Sequence, residues 1–260
     1  MRLLIVNQSS KIIQICKFTA IKLYRSHMQV FYLPEIIDGI NFLGPEESHH
    51  CSKVLRMGSG EEVMLIDGKG TMAEGELLKT DPKKSQIIVK TIRHNYNLRP
   101  YSLHIAIAPT KSNSRFEWFL EKATELGIDE ISPIFCDRSE RKTSNIIRSK
   151  KIIRSAMKQS ITAFEPKINE IKSFSKFAAE NRYMNTFMAY CDGQHNKHLK
   201  DVSSPKTETC VIVGPEGGFS PEEVKLAQLN NIELVSLGKS RLRTETAGLV
   251  VCQIFNLINQ

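Results

Sequence analysis

Two stretches of the 260-residue chain concentrate residue types that can do chemistry. Leu237–Gly248 reads L-G-K-S-R-L-R-T-E-T-A-G and crowds Lys239, Arg241 and Arg243 beside Thr244, Glu245 and Thr246. Residues 211–224 read V-I-V-G-P-E-G-G-F-S-P-E-E-V and place Glu216 among Gly214, Gly217 and Gly218. The first stretch offers cations that can stabilise developing negative charge, next to a carboxylate that can take up a proton. The second offers glycines, which admit positive φ and close approach of a ligand to the backbone. A charge run is usually a solvated face. Here each stretch follows a strand-like apolar run and leads into a helix pattern, so both fall at strand C-terminal ends, where open α/β sheets hold their ligands. The two loops predict one shared pocket. The end of the second stretch is structural: Ser220 caps a helix, with Pro221 at its first position and Glu223 at its third completing a capping box.

Other chemistries find no residues to run on. There is no G-x-x-x-x-G-K-[ST], and G-P-E-G-G lacks the lysine and hydroxyl that phosphoryl transfer uses. Gly68–Ala73 (G-K-G-T-M-A) fits G-x-G-x-x-A, yet it follows Asp67 in a β-rich stretch with no helix pattern behind it, so it reads as a hairpin turn. His49-His50 and the pair His195/His198 lack the spacing of H-E-x-x-H, no G-x-S-x-G occurs, and no metal is expected. Six cysteines lie far apart without a C-x-x-C pair, which fits small buried hydrophobes in a reducing cytoplasm. No apolar run approaches the ~20 residues of a membrane span. A net charge of +8 admits a polyanionic partner without establishing one.

The elements that must position these loops fall into two regions. Residues 1–27 hold five Lys/Arg and no acid; the expectation is an extension from an upstream start, with Met28 opening the folded chain, and a targeting peptide is the alternative. Residues 28–98 form a small β-rich module with strands at Gln29–Leu33, Glu62–Ile66 and Gln86–Ile92, and a helical segment at His49–Met57. The polar stretch 93–101 is a linker. From residue 99 to 260, strands alternate with helices: L-H-I-A-I-A-P-T, then Ser114–Leu126 closed by Gly127, I-S-P-I-F-C, the basic helix Ser149–Ser160, T-F-M-A-Y-C, C-V-I-V-G, Pro221–Asn230, L-V-S-L-G and Thr246–Ile258. That alternation means an α/β fold with a mostly parallel sheet.

The pair G-P-E-G-G-F-S-x-x-E-V and L-G-x-x-x-L-R-T-E-T-A resembles the SPOUT class of RNA methyltransferases. Within that class it is similar to the family that methylates uridine N3 in bacterial 16S ribosomal RNA. H-H-C-S-K-V-L-R-M-G-S-G-E-E-V-M-L-I-D-G, K-S-N-S-R-F-E-W-F-L-E-K-A-T-E-L-G-I-D-E-I-S-P-I-F-C-D-R-S-E-R-K and A-M-K-Q-S extend the resemblance over residues 28–260. It implies a PUA-like RNA-binding domain followed by a trefoil-knotted methyltransferase domain, S-adenosyl-L-methionine as cofactor, a homodimer, and 16S rRNA or the small ribosomal subunit as partner in the cytoplasm. Carried onto this chain, the cofactor-binding residues are Tyr190, Gly214, Pro215, Glu216, Gly217, Gly218, Leu237, Gly238, Leu242, Arg243, Thr244, Thr246 and Ala247, with Tyr190 to Asp192 as a third wall. Arg243 is the candidate for stabilising charge on a uridine carbonyl, and Glu245 or Glu216 for accepting the N3 proton. RNA contacts are expected from Lys53, Arg56, Lys111, Arg115, Arg138, Arg141, Lys142 and the helix spanning Lys150–Lys158. One departure stands out: where related sequences follow the Gln-Ser of A-M-K-Q-S with an arginine two residues later, this chain has Thr162. Two rival readings remain: a SPOUT methyltransferase acting on another rRNA or tRNA nucleotide, and a non-catalytic RNA-binding assembly factor.

Overall fold

The computed structural model describes residues 28–181, 183–191 and 197–260; the leading segment, Asp192 and His195 lie outside the described residues. The described chain forms two compact units, one of 28–67 and Thr71–His94, the other of Gly68–Gly70 and Asn95–Gln260.

The first unit is a five-stranded sheet. Its strands are β1 (Gln29–Tyr32), β2 (Ile40–Phe42), β3 (Glu62–Ile66), β4 (Met72–Lys79) and β5 (Gln86–Arg93), in the order β1-β3-β4-β5-β2. β1 runs parallel to β3, and the remaining pairs are antiparallel. Phe31, Leu43, Val63, Leu65, Leu77 and Ile87 fill its core. Two strands escape the sequence reading, and β4 shows why. Ala73, Gly75 and Leu77 turn inward while Glu74 and Glu76 turn out, and Lys90 of β5 meets Glu76 at 2.7 Å. Cross-strand ion pairs of this kind let a polar sequence hold a strand. Asp67 closes the hairpin between β3 and β4 by accepting from the Thr71 amide at 2.8 Å, as the turn reading of G-K-G requires. The segment expected as one helix over His49–Met57 divides instead into α1 (Pro45–His49) and a π-turn at His50–Val54. Cys51 and Met57 are buried in it, while Lys53, Arg56 and the apolar Val54 are exposed.

The second unit carries the parallel sheet. Its strands are β6 (Ser102–Ile107), β7 (Glu130–Phe135), β8 (Lys167–Ile168), β9 (Lys172–Ser173), β10 (Asn185–Ala189), β11 (Glu208–Val213) and β12 (Glu233–Val235). The order is β12-β10-β11-β6-β7-β8, with β9 also on β7, and every pairing is parallel. Its helices are α2 (Asn113–Leu126), α3 (Ile146–Ser160), α4 (Phe174–Glu180), α5 (Leu199–Val202), α6 (Pro221–Leu229) and α7 (Thr244–Ile258). α2 forms because Phe116, Phe119, Leu120 and Ala123 recur at helical spacing and are buried; it stops at Gly127, whose φ of +87° is a left-handed cap. β11 leads through α6 to edge strand β12, and the chain then returns so that α7 packs on β6, β11 and α2. Gly248 makes that return possible, because a Cβ there would stand 2.5 Å from the Phe119 ring. α7 begins two residues earlier than Thr246, since Thr244 and Glu245 are themselves buried in its first turn. Among the described residues no helix is long and apolar enough to cross a membrane.

His104 of β6 sits in the core, its Nε2 2.9 Å from Ser132 Oγ and its ring against Phe177 and Tyr183. Burial holds its pKa down at about 4, outweighing the opposite pull of Glu130. The imidazole is therefore neutral when folded. The unfolded chain takes up a proton at this histidine as pH falls below about 6.5, and the folded chain does so only near pH 4. Stability from this group is full above pH 6.5 and is lost between 6.5 and 4, on the order of 3 kcal/mol. Urea titrations across this window should show His104→Gln losing distinctly less stability than the wild type; equal losses would refute the assignment.

Candidate functional site

Because the sheet is parallel, the C-terminal ends of β10, β11 and β12 share one edge, and a pocket of about 420 Å³ opens there. Three chain segments wall it: Ala189 to Cys191 after β10, Val213–Phe219 after β11, and Ser236–Ala247 after β12. The predicted single pocket is thus present. Tyr190, Gly214, Pro215, Glu216, Gly217 and Gly218 line it from one side, and Leu237, Gly238, Leu242, Thr244 and Ala247 from the other. Two expected residues stand off the wall. Arg243 is the exposed N-cap residue of α7, one position before the lining Thr244, and Thr246 lies one turn-position further along the helix.

The two loops are tied directly. Thr244 Oγ1 donates to the Gly214 carbonyl at 2.9 Å, and Arg241 Nη2 reaches the Glu216 carbonyl at 3.5 Å. The Gly218 amide closes a turn on the Pro215 carbonyl at 2.9 Å. The glycines divide by cause. Gly218 and Gly238 have φ of +71° and +127°, and nothing lies within 4 Å of where a Cβ would stand, so they keep the pocket wall bare. Gly214 and Gly217 are pinned by protein: a Cβ would meet the Phe219 ring at 2.8 Å in one case and Arg138 Cβ at 3.0 Å in the other. All four line the pocket, and two of them have open space where a side chain would stand. The capping box at Ser220 and Glu223 forms as expected. It also does more: Ser220 Oγ donates to Asp137 Oδ2 at 2.6 Å and Glu223 Oε1 accepts from the Asp137 amide at 3.0 Å, anchoring the loop after β7 beside the pocket.

The two candidate carboxylates part company. Glu216 is on the wall, with Oε1 accepting from the Lys111 amide at 3.1 Å. Glu245 is 5 % exposed in α7, its Oε1 3.9 Å from Arg115 Nε and its Oε2 buried without a partner among the described residues. The expected RNA-binding residue Arg115 thus faces this buried acid. Arg138 lines the pocket and donates to the Gly217 carbonyl at 3.3 Å. Lys111 pairs with Glu140 at 2.8 Å, a contact that raises the pKa of its amine. Arg141 donates to the Lys111 carbonyl at 2.8 Å and to Asn113, and Lys142 lies 5.8 Å over the Phe135 ring. Lys53 and Arg56 belong to the first unit. Thr162 hydrogen-bonds Ser160 at 2.9 Å and takes no part in the pocket.

Sequence reasoning left Phe219 and Ser236 out of the ligand site, though both line it. Ser236 was the detectable one: it directly follows β12, and strand C-terminal ends are where such sheets bind. Leu237, Leu242, Ala247 and Pro215 give the pocket an apolar part, against Arg138, Arg241 and Glu216. Such a lining suits a ligand with an aromatic plate and a charged end. Among the described residues no group of three or more metal-ligating side chains gathers.

A family profile for an RNA methyltransferase domain matches residues 97–256, and one for an RNA methyltransferase PUA domain matches residues 43–90. The chain is similar to the ribosomal RNA small subunit methyltransferase E of Bacillus subtilis, with 29% identity over 78% of this chain and 84% of that protein. The protein of the same name from Synechocystis is 27% identical over 86% of this chain and 75% of its own length. Among solved structures, a probable rRNA-methyltransferase from Porphyromonas gingivalis is 36% identical with a TM-score of 0.82, covering 89% of this chain and 98% of that one. The Neisseria gonorrhoeae ribosomal RNA small subunit methyltransferase E, bound to S-adenosyl methionine, has a TM-score of 0.82 at 26% identity, covering 90% of this chain and 98% of that one.

Thr244→Val keeps the shape of the side chain and leaves the Gly214 carbonyl without its donor. Chemical denaturation should register a loss of about 1–3 kcal/mol; a change below the scatter of replicate titrations would mean the two loops do not depend on this bond.

Proposed function

The chain belongs to the RNA methyltransferase family, and from that premise we propose that it methylates N3 of a uridine in 16S ribosomal RNA of the small subunit, using S-adenosyl-L-methionine. The observation that carries the cofactor assignment is the pocket with two bare glycine positions, Gly218 and Gly238, facing an apolar patch. When bound, S-adenosylmethionine supplies an electrophilic methyl group on a sulfonium sulfur. The loops Gly214–Gly218 and Leu237–Ala247 would hold the cofactor, with Leu237, Leu242 and Ala247 offering apolar contact and Arg138 and Arg241 able to pair with a carboxylate.

The target uridine must give up its N3 proton, and negative charge then spreads onto its carbonyl oxygens. Arg243, exposed at the head of α7 beside the pocket, stabilises that charge. Of the two carboxylates, Glu216 is positioned to take the proton, since its Oε1 is held on the pocket wall by the Lys111 amide. Glu245 acts through Arg115, which it holds. Orientation is the larger part of the work, because methyl transfer needs the acceptor nitrogen in line with the carbon–sulfur bond. We read the protein as a homodimer acting in the cytoplasm; Trp118 of α2 and Leu257 of α7, exposed apolar side chains on two helices that pack together, support a partner subunit.

The test is incubation with labelled cofactor and small subunits lacking the modification, followed by digestion to nucleosides. The expected product is 3-methyluridine; a label on another base or on ribose would replace this reading with a different RNA methyltransferase. Arg243→Ala should lower the single-turnover rate by about 10²–10³-fold with cofactor affinity retained. An unchanged rate at unchanged cofactor affinity removes Arg243 from the mechanism.

A further inference from the structure

Beside the pocket, the chain between β7 and α3 folds into a basic groove that the cofactor site does not use. It consists of two cavities, of about 370 Å³ and about 390 Å³, which share Arg141 and Thr143 as a common wall. Lys111, Arg141, Lys142 and Arg148 line them, against Glu117 and Glu140, so four cations face two carboxylates and the groove carries a net +2. Its near end touches the pocket: Lys111, which lines the groove, donates its backbone amide to Glu216 Oε1 on the pocket wall.

The side chains within it are held but not buried. Arg141 is fixed by the Lys111 carbonyl at 2.8 Å and by Asn113, both neutral acceptors, so its full charge faces the groove. Arg148 is different. Its guanidinium is clamped on Glu117, with Nη2 2.8 Å from Oε2, and each group shifts the other's pKa toward the charged form. The Arg148 side chain is nevertheless 65% exposed, and Glu117 is only 23% exposed. The pair is bidentate, Nε to Oε1 and Nη2 to Oε2, yet it lies at the solvent edge, where water and salt screen it. A phosphate entering the groove can compete with Glu117 for the exposed guanidinium of Arg148.

We propose that this groove seats the phosphodiester backbone of the RNA strand flanking the target nucleotide, with Arg141 as a standing phosphate contact and Arg148 exchanging Glu117 for a phosphate as RNA enters. The inference rests on the RNA methyltransferase reading above and adds a path for the strand, a new contact in Arg148 and an opposing residue in Glu117. Glu117 weakens RNA binding twice over, by occupying Arg148 and by repelling phosphate.

The test uses the full-length protein and a labelled single-stranded RNA oligonucleotide of small-subunit sequence containing uridine, followed by anisotropy at several salt concentrations. Arg141→Gln should weaken binding roughly 10-fold and lower the slope of log affinity against log salt by about one. Glu117→Gln should tighten binding roughly 3- to 10-fold, which the loss of a merely structural contact would not do. S-adenosylmethionine affinity should be the same in the wild type and both variants. Inorganic phosphate in the millimolar range should not compete, because a single free anion lacks the adjoining contacts. Competition at that level would mean a site for free phosphate and overturn the strand assignment. RNA binding that is tight in the wild type and indifferent to both substitutions overturns the groove alone; failure of the wild type to methylate small subunits, measured alongside, overturns the reading it rests on.

Discussion

The 2.9 Å hydrogen bond from Thr244 Oγ1 to the Gly214 carbonyl joins two loops that are 30 residues apart in sequence. Both depend on the parallel register of β10, β11 and β12, which brings their C-terminal ends to one edge. Without the sheet the loops would not meet; the bond, with the longer contact from Arg241 to the Glu216 carbonyl, ties them together. The route of the chain adds to this. After β12 it must turn back across the loop ends so that α7 reaches β6 and α2, and Gly248 is the residue that lets it lie against Phe119. Packing in the core thereby sets where Thr244 is buried behind the loops and where Arg243 emerges at the surface.

A second layer of bonds fixes the rim. Ser220 and Glu223 cap α6 and also hold Asp137, so the loop after β7 is attached to the same scaffold as the cofactor wall. Arg138 then closes over Gly217, and Lys111 over Glu216. The pocket and the basic groove therefore share a boundary at Lys111, whose amide donates to the Glu216 carboxylate on the pocket wall. That shared boundary is what would let bound RNA and bound methyl donor be placed relative to each other without a moving part.

Much of this was legible in the residues, for identifiable reasons. Alternating apolar runs and helical spacing disclose β6, β7, β11, α2 and α7, because their buried faces leave a period in the sequence. Two loops at successive strand ends disclose the pocket. What escaped was set by contacts distant along the chain. β4 reads as polar because its outward glutamates are matched by Lys90 of the neighbouring strand. Gly214 and Gly217 line the pocket as expected, but their packing on Phe219 and Arg138 had no local signal, and neither had the burial of Glu245 beside Arg115. The clamp between Glu117 and Arg148 spans 31 residues and joins two helices, so no local pattern announces it.

The central claim is that the walls contributed by the two loops form one site for the methyl donor. Calorimetric titration of S-adenosylmethionine into the wild type and Gly238→Val tests it most directly, since a branched side chain at φ +127° both strains the loop and fills the bare wall. The account predicts one saturable site per chain in the wild type and at least a ~100-fold weaker one in the variant, a loss of about 2.7 kcal/mol or more. Equal affinity in the two proteins, with both folded, would contradict it.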